Sequence, residues 1–485
     1  MNDIQPTCPA QDITLPDSQP AAEDLTAPVS HTDVLPEILE NLPQTDFREE
    51  AKLDNNEKLS QKHLIVITVS VVLRVALMLG CGLCRRHDFL YAYDGAFWRL
   101  IDRETLSDFL GEAARRLGID SITSSYHLFR DQLYRQFLAV ANLPKPDIPE
   151  GFCLINLVNG TYEITPTSAH LREFRREDFL TYQLPFDYDP AASAPLWQTF
   201  LDRVLPDKAR QKVLAEYLGY VFTRLKLEKT LILYGSGANG KSVVFDITNA
   251  LFGRENVTNY SLHSLCNDYH RAKLENKLIN FSSEISARLE ADIFKKLTSG
   301  EPIEARLPYD QPFIMSRYAR LAFNCNELPR DLEHTEAFFR RFLLLPFDVT
   351  IAEEEQDKRL AEKIIKSELS GIFNWVLEGL QRLLQQESFT PCEASRKALD
   401  QYRKESDSVA MFLAEENYKQ STDFTEGKVL YQHYKSYCLD NGYRPLGRNN
   451  FYKRLETNKV VTQRLDVGLV AFVRSGPCDE SVLSL

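Results

Sequence analysis

The sequence has few cysteines at the short spacings that metal sites need. It contains nine cysteines, but only Cys81 and Cys84 lie close together, and with His87 they would supply three ligands without a fourth. It also lacks internal repeats, and no basic-then-apolar secretory segment follows Met1. These absences exclude a disulfide scaffold and argue against a zinc module. We therefore expect reduced, mostly buried thiols in a cytoplasmic protein.

Basic charge is also scarce, because the 485 residues carry a formal net charge of −12. Most of this negative charge is concentrated in residues 1–60, which hold 13 acidic residues, 3 basic residues and seven prolines. Such a composition cannot bury enough apolar surface to offset chain entropy, so residues 1–60 are predicted to be a disordered acidic tail. The rest of the chain is nearly neutral, and its apolar content is typical of a globular protein. The overall charge therefore does not exclude nucleic-acid binding.

Long hydrophobic runs are absent except for residues 64–84. This run is long enough to span a bilayer, which takes about 20 residues. Arg74 lies at its centre, where membrane insertion costs about 2.5–3.5 kcal/mol, although the surrounding apolar residues could outweigh that cost. Its β-branched residues also suit a buried strand or helix. We favour a buried element over a membrane span and leave the second interpretation open.

Sequence patterns divide the folded part into three regions. Residues 61–195 mix short strand-like runs with helical stretches, which predicts an α+β N-terminal domain. In residues 196–388, apolar strands alternate with amphipathic helices, which predicts an α/β domain with a parallel sheet. Residues 389–485 are predicted to form linker helices and a small separate unit.

A glycine-rich motif lies between a predicted strand, residues 230–234, and a predicted helix, residues 242–251. It matches the phosphate-binding pattern G-x-x-x-x-G-K-[ST] at every fixed position. Its residues are Gly235, Ser236, Gly237, Ala238, Asn239, Gly240, Lys241 and Ser242. Glycines let backbone N–H groups surround the phosphates, while Lys241 contacts the terminal phosphates and Ser242 ligates Mg²⁺. This glycine-rich loop predicts binding of ATP with Mg²⁺.

Hydrolysis needs further polar groups near the terminal phosphate. Glu284 ends an apolar run and is the best candidate for the base that activates water. Asn326 ends another strand-like run and could hold the attacking water. Arg340 and Arg341 lie between phenylalanines, where one of them could reach a phosphate across a subunit boundary. Taken singly, each of these residues also fits an ordinary surface or turn position.

In this order, the motifs resemble those of superfamily-three helicases of the phage/plasmid primase–helicase family, which is related to poxvirus-type ATPases. Residues 297–306, 156–160, 184–190 and 371–379 extend the resemblance, which covers roughly residues 90–475. The resemblance implies a homohexameric AAA+-like ring that hydrolyses ATP between subunits and moves along single-stranded or forked DNA.

The resemblance also implies a channel-lining hairpin between Glu284 and Asn326. The residues there that could contact DNA are Lys295, Lys296, Arg306 and Tyr309, and each fits a solvated surface position equally well. Many members of the family carry a second acidic residue where Ser283 precedes Glu284 here, which leaves the surroundings of Mg²⁺ undefined. Relatives often have an upstream primase domain, so we expect a separate primase as partner.

The C-terminal part of the chain is locally basic. Residues 424–474 contain nine lysines and arginines against four acidic residues. Two predicted helices, residues 428–438 and 449–456, precede two strand-like runs around Gly468, which is typical of a winged helix. Arg448, Lys453 and Arg454 are the candidate DNA contacts. A basic face used for protein contacts is the alternative.

Together, these patterns predict a cytoplasmic, ATP-dependent replicative DNA helicase of a phage, plasmid or mobile element. The predicted fold class is α/β, with an AAA+-like core, an α+β N-terminal domain and a C-terminal winged helix. One alternative is a DNA-binding replication initiator whose ATPase controls assembly. Another is a small-molecule phosphotransferase, which the paired arginines and the basic C-terminal unit disfavour.

Overall fold

The computed structural model of this protein describes residues 34–86, 89–143, 151–283, 285, 290–307, 311–328 and 335–476. Residues 34–143 form an N-terminal unit of helices packed on a small antiparallel sheet, in the order β1-β2-β3. Its elements are α1 (Val34–Glu40), α2 (Phe47–Glu50), α3 (Gln61–Met78), β1 (Gly82–Arg86), β2 (Phe89–Tyr93), β3 (Trp98–Ile101), α4 (Arg103–Arg116), α5 (Ser121–Ser125) and α6 (His127–Val140).

The prediction of a disordered tail over residues 1–60 is wrong for its second half. Residues 34–60 contain α1 and α2, whose Ile38 and Phe47 are buried in the core of the N-terminal unit. Asp46 accepts hydrogen bonds from two backbone N–H groups at the start of α2 and so caps this short helix. The acidic composition of residues 1–60 predicted disorder, although apolar residues within this stretch recur at helical spacing. Residues 1–33 lie outside the described residues.

The hydrophobic run predicted over residues 64–84 is helix α3 followed by the start of β1. Among the described residues, α3 is the one helix long and apolar enough to cross a membrane. One face, including Val69, Val71 and Val72, is fully buried in the core that α4 and α6 share. Arg74 lies on the outer face and donates a hydrogen bond to Glu50 at 2.6 Å. This packing favours the buried-element interpretation.

Residues 151–220 contain an antiparallel sheet and two helices. These are β4 (Cys153–Leu157), β5 (Gly160–Ile164), β6 (Ala169–Arg172), α7 (Pro195–Val204) and α8 (Lys208–Tyr220). Ile155 and Tyr162 share one core with Trp197 and the helices that follow. The hydrophobic cores therefore divide the chain nearer residue 150 than at the predicted boundary of 195.

The central sheet has five parallel strands, so the predicted mixed α/β architecture with a parallel sheet is confirmed. Its elements and connections are β7 (Thr230–Tyr234), α9 (Lys241–Phe252), β8 (Val257–Thr258), α10 (Asp268–Ala272), β9 (Ile279–Ser282), α11 (Ala291–Ser299), β10 (Ile303–Ala305), β11 (Phe313–Met315), β12 (Arg320–Cys325), α12 (Glu336–Phe339), β13 (Phe342–Pro346) and α13 (Leu360–Gln386). The strand order is β13-β7-β12-β9-β8, while β10 and β11 form a separate antiparallel ribbon. The carboxyl ends of β7, β12 and β9 therefore lie side by side, which is where open parallel sheets bind ligands.

The C-terminal unit has its own hydrophobic core and a three-stranded antiparallel sheet, in the order β14-β16-β15. Its elements are α14 (Glu393–Glu405), α15 (Ser408–Glu415), β14 (Tyr418–Glu426), α16 (Gly427–Asp440), α17 (Arg448–Thr457), β15 (Thr462–Leu465) and β16 (Gly468–Ser475). Strand β14 precedes the two helices predicted for this unit, and the sequence patterns did not predict it. It is polar and exposed along most of its length, so it carries no apolar periodicity that would predict it. Helix α14 packs against the central domain through Tyr402.

Helix α7 is capped by a side chain that is distant in sequence. Glu368 of α13 is buried, and its two carboxylate oxygens accept hydrogen bonds from the backbone N–H groups of Leu196 and Trp197, each at 2.9 Å. These donors have no partner within a helix that begins at Pro195. The contact fixes α7 to α13.

We predict that Glu368→Ala lowers the free energy of unfolding by about 2–4 kcal/mol, because it leaves two N–H groups of α7 without their charged acceptor. Glu362→Ala is the matched control, since Glu362 is exposed on the same helix and its loss should change stability by less than about 0.5 kcal/mol. Urea denaturation of the full chain measures both. Equal stability of the two variants would contradict the capping role.

Candidate functional site

The glycine-rich loop connects the carboxyl end of β7 to α9. Gly237, Ala238 and Gly240 all have positive φ, at 115°, 49° and 86°. Successive residues of this kind turn backbone N–H groups inward, which creates a concave site for an anion. A Cβ on Gly235 would lie 2.2 Å from the side chain of Asn239 and 2.5 Å from the carbonyl oxygen of Phe347, so only glycine fits there. The loop geometry is that expected for phosphate binding.

Lys241 is held against this loop. Only 6% of the residue is exposed, and its Nζ donates hydrogen bonds to the carbonyl oxygen of Gly235 at 2.6 Å and to Oδ1 of Asn239 at 3.0 Å. Burial lowers the pKa of the Lys241 ammonium below its ordinary value. Asn239 in turn donates from Nδ2 to the carbonyl oxygen of Phe347 at 3.2 Å, just after β13. The lysine is thus positioned by the loop itself.

A cleft of about 990 Å³ opens above the loop. Its floor is formed by residues 237–243 and by the carboxyl ends of β9 and β12. Its walls come from α7 and from the segment that leads into α13. The wall residues are Leu196, Thr199, Phe200, Arg203, Ile351, Glu355, Gln356, Asp357, Lys358, Leu360 and Ala361. Sequence reasoning missed both walls, because no motif marks them.

Two asparagines at the end of β12 line the cleft. Asn326 follows the strand and is exposed, whereas Asn324 is buried within the strand. The sequence pointed to Asn326 alone and missed Asn324, which lies two residues earlier within β12. Ser283, after β9, also lines the cleft. Glu284, the predicted base, lies outside the described residues.

The structure distinguishes the two arginines that the sequence could not separate. The side chain of Arg341 is 7% exposed, and it donates two hydrogen bonds to Oγ of Ser299, at 2.8 and 3.2 Å. The side chain of Arg340 is 55% exposed and reaches Glu228 at 2.8 Å on the surface. Neither arginine lines the cleft of its own chain. Arg341 is therefore an anchoring residue, while Arg340 faces outward.

The predicted channel residues are spread along α11 and the end of β10. Lys296 is exposed in the last turn of α11, and Lys295 pairs with Asp292 at 3.0 Å. Arg306 lies 5.9 Å from the ring centre of Tyr269. Tyr309 lies outside the described residues. The structure does not bring the three described residues into one cluster of contacts.

In the C-terminal unit, two of the three predicted DNA contacts are exposed. Arg448 begins α17 and lies 5.6 Å from the ring centre of Tyr431, and Lys453 lies one and a half turns later. Arg454 is partly buried, and its Nε donates to the buried carboxylate of Asp407 at 2.9 Å, so its DNA contact stays a prediction. Its neighbour in sequence faces solvent because successive helical residues point in different directions.

Cys81 and Cys84 are both buried in the N-terminal unit. Burial raises the pKa of the Cys81 thiol to about 11 and that of Cys84 to about 12, so both are protonated at neutral pH. The described part of the chain contains no cluster of three His, Cys, Asp or Glu side chains that could hold a metal. His87 lies outside the described residues.

Three domain families match separate parts of the chain. A D5 N-terminal-like domain matches residues 84–206, and a poxvirus D5 protein-like domain matches residues 404–463. Between them, a family of unknown function, DUF5906, matches residues 233–341, which include the glycine-rich loop. In the sequence, the two D5-type matches thus lie on either side of the DUF5906 match.

Individual relatives match at low identity. A protein of Acanthamoeba polyphaga mimivirus, L207/L206, which is provisionally named a helicase, is 25% identical over 158 residues, or 30% of this chain and 16% of its own length. Two apo structures of the C-terminal region of NrS-1 are 13% identical, with TM-scores of 0.47 and 0.46, and cover 83% of this chain and 98% of theirs. The two D5-type domain matches and the viral relative together support a primase–helicase family of the phage/poxvirus type for this chain.

Proposed function

We propose that this protein is an ATP-dependent replicative DNA helicase of a phage, plasmid or mobile element, with an AAA+-like core that works as a ring. The observation that supports this most is the glycine-rich loop with its buried Lys241, at the end of a parallel sheet ordered β13-β7-β12-β9-β8. The polar ends of β9 and β12 beside that loop are suited to hydrolysis rather than to binding alone. The similarity to a helicase-containing family is consistent with this function.

The residues of the cleft fit Mg-ATP. The loop would offer backbone N–H groups and the Lys241 ammonium to the phosphates, and Ser242, the second residue of α9, would offer its hydroxyl to the metal. Mg²⁺ would neutralise developing charge on the phosphates. The apolar side chains in the walls, such as Phe200 and Leu360, suit a nucleotide base. We assign Glu284 as the base for water and Asn326 as the residue that positions this water.

We propose Arg340 as the residue that reaches the nucleotide of a neighbouring subunit. Its guanidinium is outside the cleft of its own chain and half exposed. A residue placed in this way can complete a site only in another copy, which supports assembly into a closed ring, such as a homohexamer. Arg341 holds the turn before β13 through Ser299 and thereby fixes the direction of Arg340.

DNA is proposed to contact two parts of the protein. Lys295 and Lys296 of α11 and Arg306, just after β10, would contact single-stranded DNA in the ring, as would Tyr309, which lies between β10 and β11 in the sequence. We propose that the C-terminal helices α16 and α17 with the β15–β16 hairpin act as a winged helix, which their order along the chain supports. There, Arg448 and Lys453 would bind phosphates of forked DNA.

The proposed activity is tested by unwinding of 3′- and 5′-tailed duplexes with ATP. We expect the wild-type chain to unwind one of them and to hydrolyse ATP faster when DNA is added. Lys241→Ala should lower ATP turnover at least about 100-fold, because it removes the cation that contacts the terminal phosphates. A chain that binds DNA and assembles without unwinding either substrate would be an initiator. ATP turnover that Lys241→Ala leaves unchanged would refute the nucleotide site.

The role of Arg340 can be tested by mixing inactive subunits. Arg340→Ala and Lys241→Ala chains should each lack ATPase activity, while an equal mixture should recover up to about a quarter of it, because random assembly pairs an intact Lys241 with a neighbouring intact Arg340 at that frequency. Arg341→Ala is the control and should mainly lower the melting temperature, since it removes both hydrogen bonds to Ser299. Absence of recovery at every ratio would rule out the role in trans.

Arg448→Ala and Lys453→Ala should weaken binding of forked DNA about threefold to tenfold each and reduce the log–log salt slope by about 1 per residue. Lys397→Ala is the matched control, because Lys397 is a 75%-exposed lysine on α14, away from this helix. Fluorescence anisotropy at several salt concentrations gives both quantities. If all three variants bind DNA alike, α17 does not contact DNA.

A further inference from the structure

Asn324 is a buried polar residue whose hydrogen bonding is incomplete. It lies in β12, the central strand, opposite Leu233 of β7 and one residue beyond the pair formed by Phe323 with Ser282 of β9. Only 6% of the residue is exposed, yet its Oδ1 has no hydrogen-bond partner among the residues that the structure describes. Buried polar atoms in native proteins are nearly always paired, so an exception in a ligand cleft indicates a partner that arrives with the ligand.

A second asparagine in the same sheet shows what a purely structural role looks like. Asn280 of β9 is fully buried, and its Oδ1 accepts hydrogen bonds from Oγ1 of Thr258 and from the N–H of Tyr260, each at 2.9 Å. Its Nδ2 donates to the carbonyl oxygen of Tyr260, also at 2.9 Å. Asn280 is therefore fully paired within the protein, whereas Asn324 lines the cleft and its buried oxygen has no partner among the described residues.

The position of Asn324 limits what it can contact. It lies within β12, two residues before Asn326, which follows the strand. It lines the floor together with Ser242 and Ser283. Asn324 therefore lines the same cleft as Ser242, whose hydroxyl is the candidate metal ligand.

The unpaired atom is an acceptor, which decides its partner. Phosphate oxygens are acceptors as well and cannot pair with it. Mg²⁺ retains several water ligands when it binds nucleotides, and these waters are strong donors. A carboxamide oxygen in this cleft is suited to receive one of them.

We propose that Oδ1 of Asn324 accepts a hydrogen bond from a water ligand of Mg²⁺ when Mg-ATP occupies the cleft. Asn324 is then a positioning residue for the metal, and it acts through that water rather than on the nucleotide. This inference rests on the proposed nucleotide function and adds a residue that sets the affinity of the site for Mg²⁺. Ser283 contributes no charge to the site, and Asn324 adds a neutral acceptor beside it.

The test measures binding of a fluorescent, slowly hydrolysed ATP analogue to the full chain, in EDTA and across a Mg²⁺ titration. In Asn324→Leu, the Mg²⁺ concentration that gives half of the affinity gain should rise about threefold to tenfold, because the acceptor is lost. Affinity in EDTA should stay within about twofold of the wild type, since the nucleotide itself loses no contact. The melting temperature should not fall, because an unpaired buried oxygen is removed.

Two further variants complete the design. Asn324→Asp retains an oxygen acceptor, so its Mg²⁺ requirement should equal that of the wild type or be lower. Asn280→Leu is the matched control, and it should lower the melting temperature while leaving the Mg²⁺ requirement unchanged. These opposite signatures separate metal positioning from structural support in the same sheet.

Each result has a distinct meaning. An unchanged Mg²⁺ requirement in Asn324→Leu would overturn the inference, as would an equal loss of affinity in EDTA, which would mean a direct contact with the nucleotide. Loss of binding in Asn324→Asp would overturn it as well, because the amide would then be donating to a phosphate. Failure of the wild-type chain to bind the analogue at all would instead refute the proposed nucleotide function.

Discussion

The structure depends on how the glycine-rich loop is tied to the strands on both sides of it. The N–H of Gly235 donates to the carbonyl oxygen of Cys325 on β12 at 3.2 Å, and the N–H of Phe347, after β13, donates to Tyr234 at 2.7 Å. The N–H of Ile351 donates to the carbonyl oxygen of Ala238, also at 2.7 Å. These bonds tie the loop to β12, which contains Asn324, and to the end of β13, the strand that follows Arg340 and Arg341. A change in the loop on ligand binding must therefore act on both.

The N-terminal unit contacts the same central domain through one face of its small sheet. The alternation of β2 sends Leu90 inward to the helical core, while Phe89 and Tyr91 face the other way. Phe89 packs edge-on against Phe313 of the β11 strand, with ring centres 5.4 Å apart, and the hydroxyl of Tyr91 accepts a hydrogen bond from Asn276 at 3.0 Å. The ribbon proposed to contact DNA is thus supported by a separately folded unit.

The sequence predicted those features that depend on local pattern. The strand at residues 230–234 and the helix after the loop follow from an apolar run, glycines and helical periodicity, and the structure has them within a residue or two. It could not separate Arg340 from Arg341, because the difference lies in Ser299, which is 42 residues away in sequence. It also missed β14, whose exposed polar side chains show no period, and the wall provided by α7, which depends on a cap from α13. Long-range contacts decide these features, and one sequence does not contain them.

Two buried carboxylates make α13 the support of the cleft walls. Glu368 of α13 caps α7, and Glu216 of α8 accepts a hydrogen bond from Arg382 of α13 at 2.7 Å. Glu216 also accepts from the N–H of Thr390, at 2.7 Å, where α13 has ended. The wall formed by α7 and the first residues of α13 is therefore fixed as one piece, while the loop and the asparagines belong to the sheet. Hydrogen bonds hold α7 to α13, and other hydrogen bonds hold the glycine-rich loop to the sheet. A change in cleft width therefore requires the wall to move relative to the sheet, and residues 347–360 connect the two.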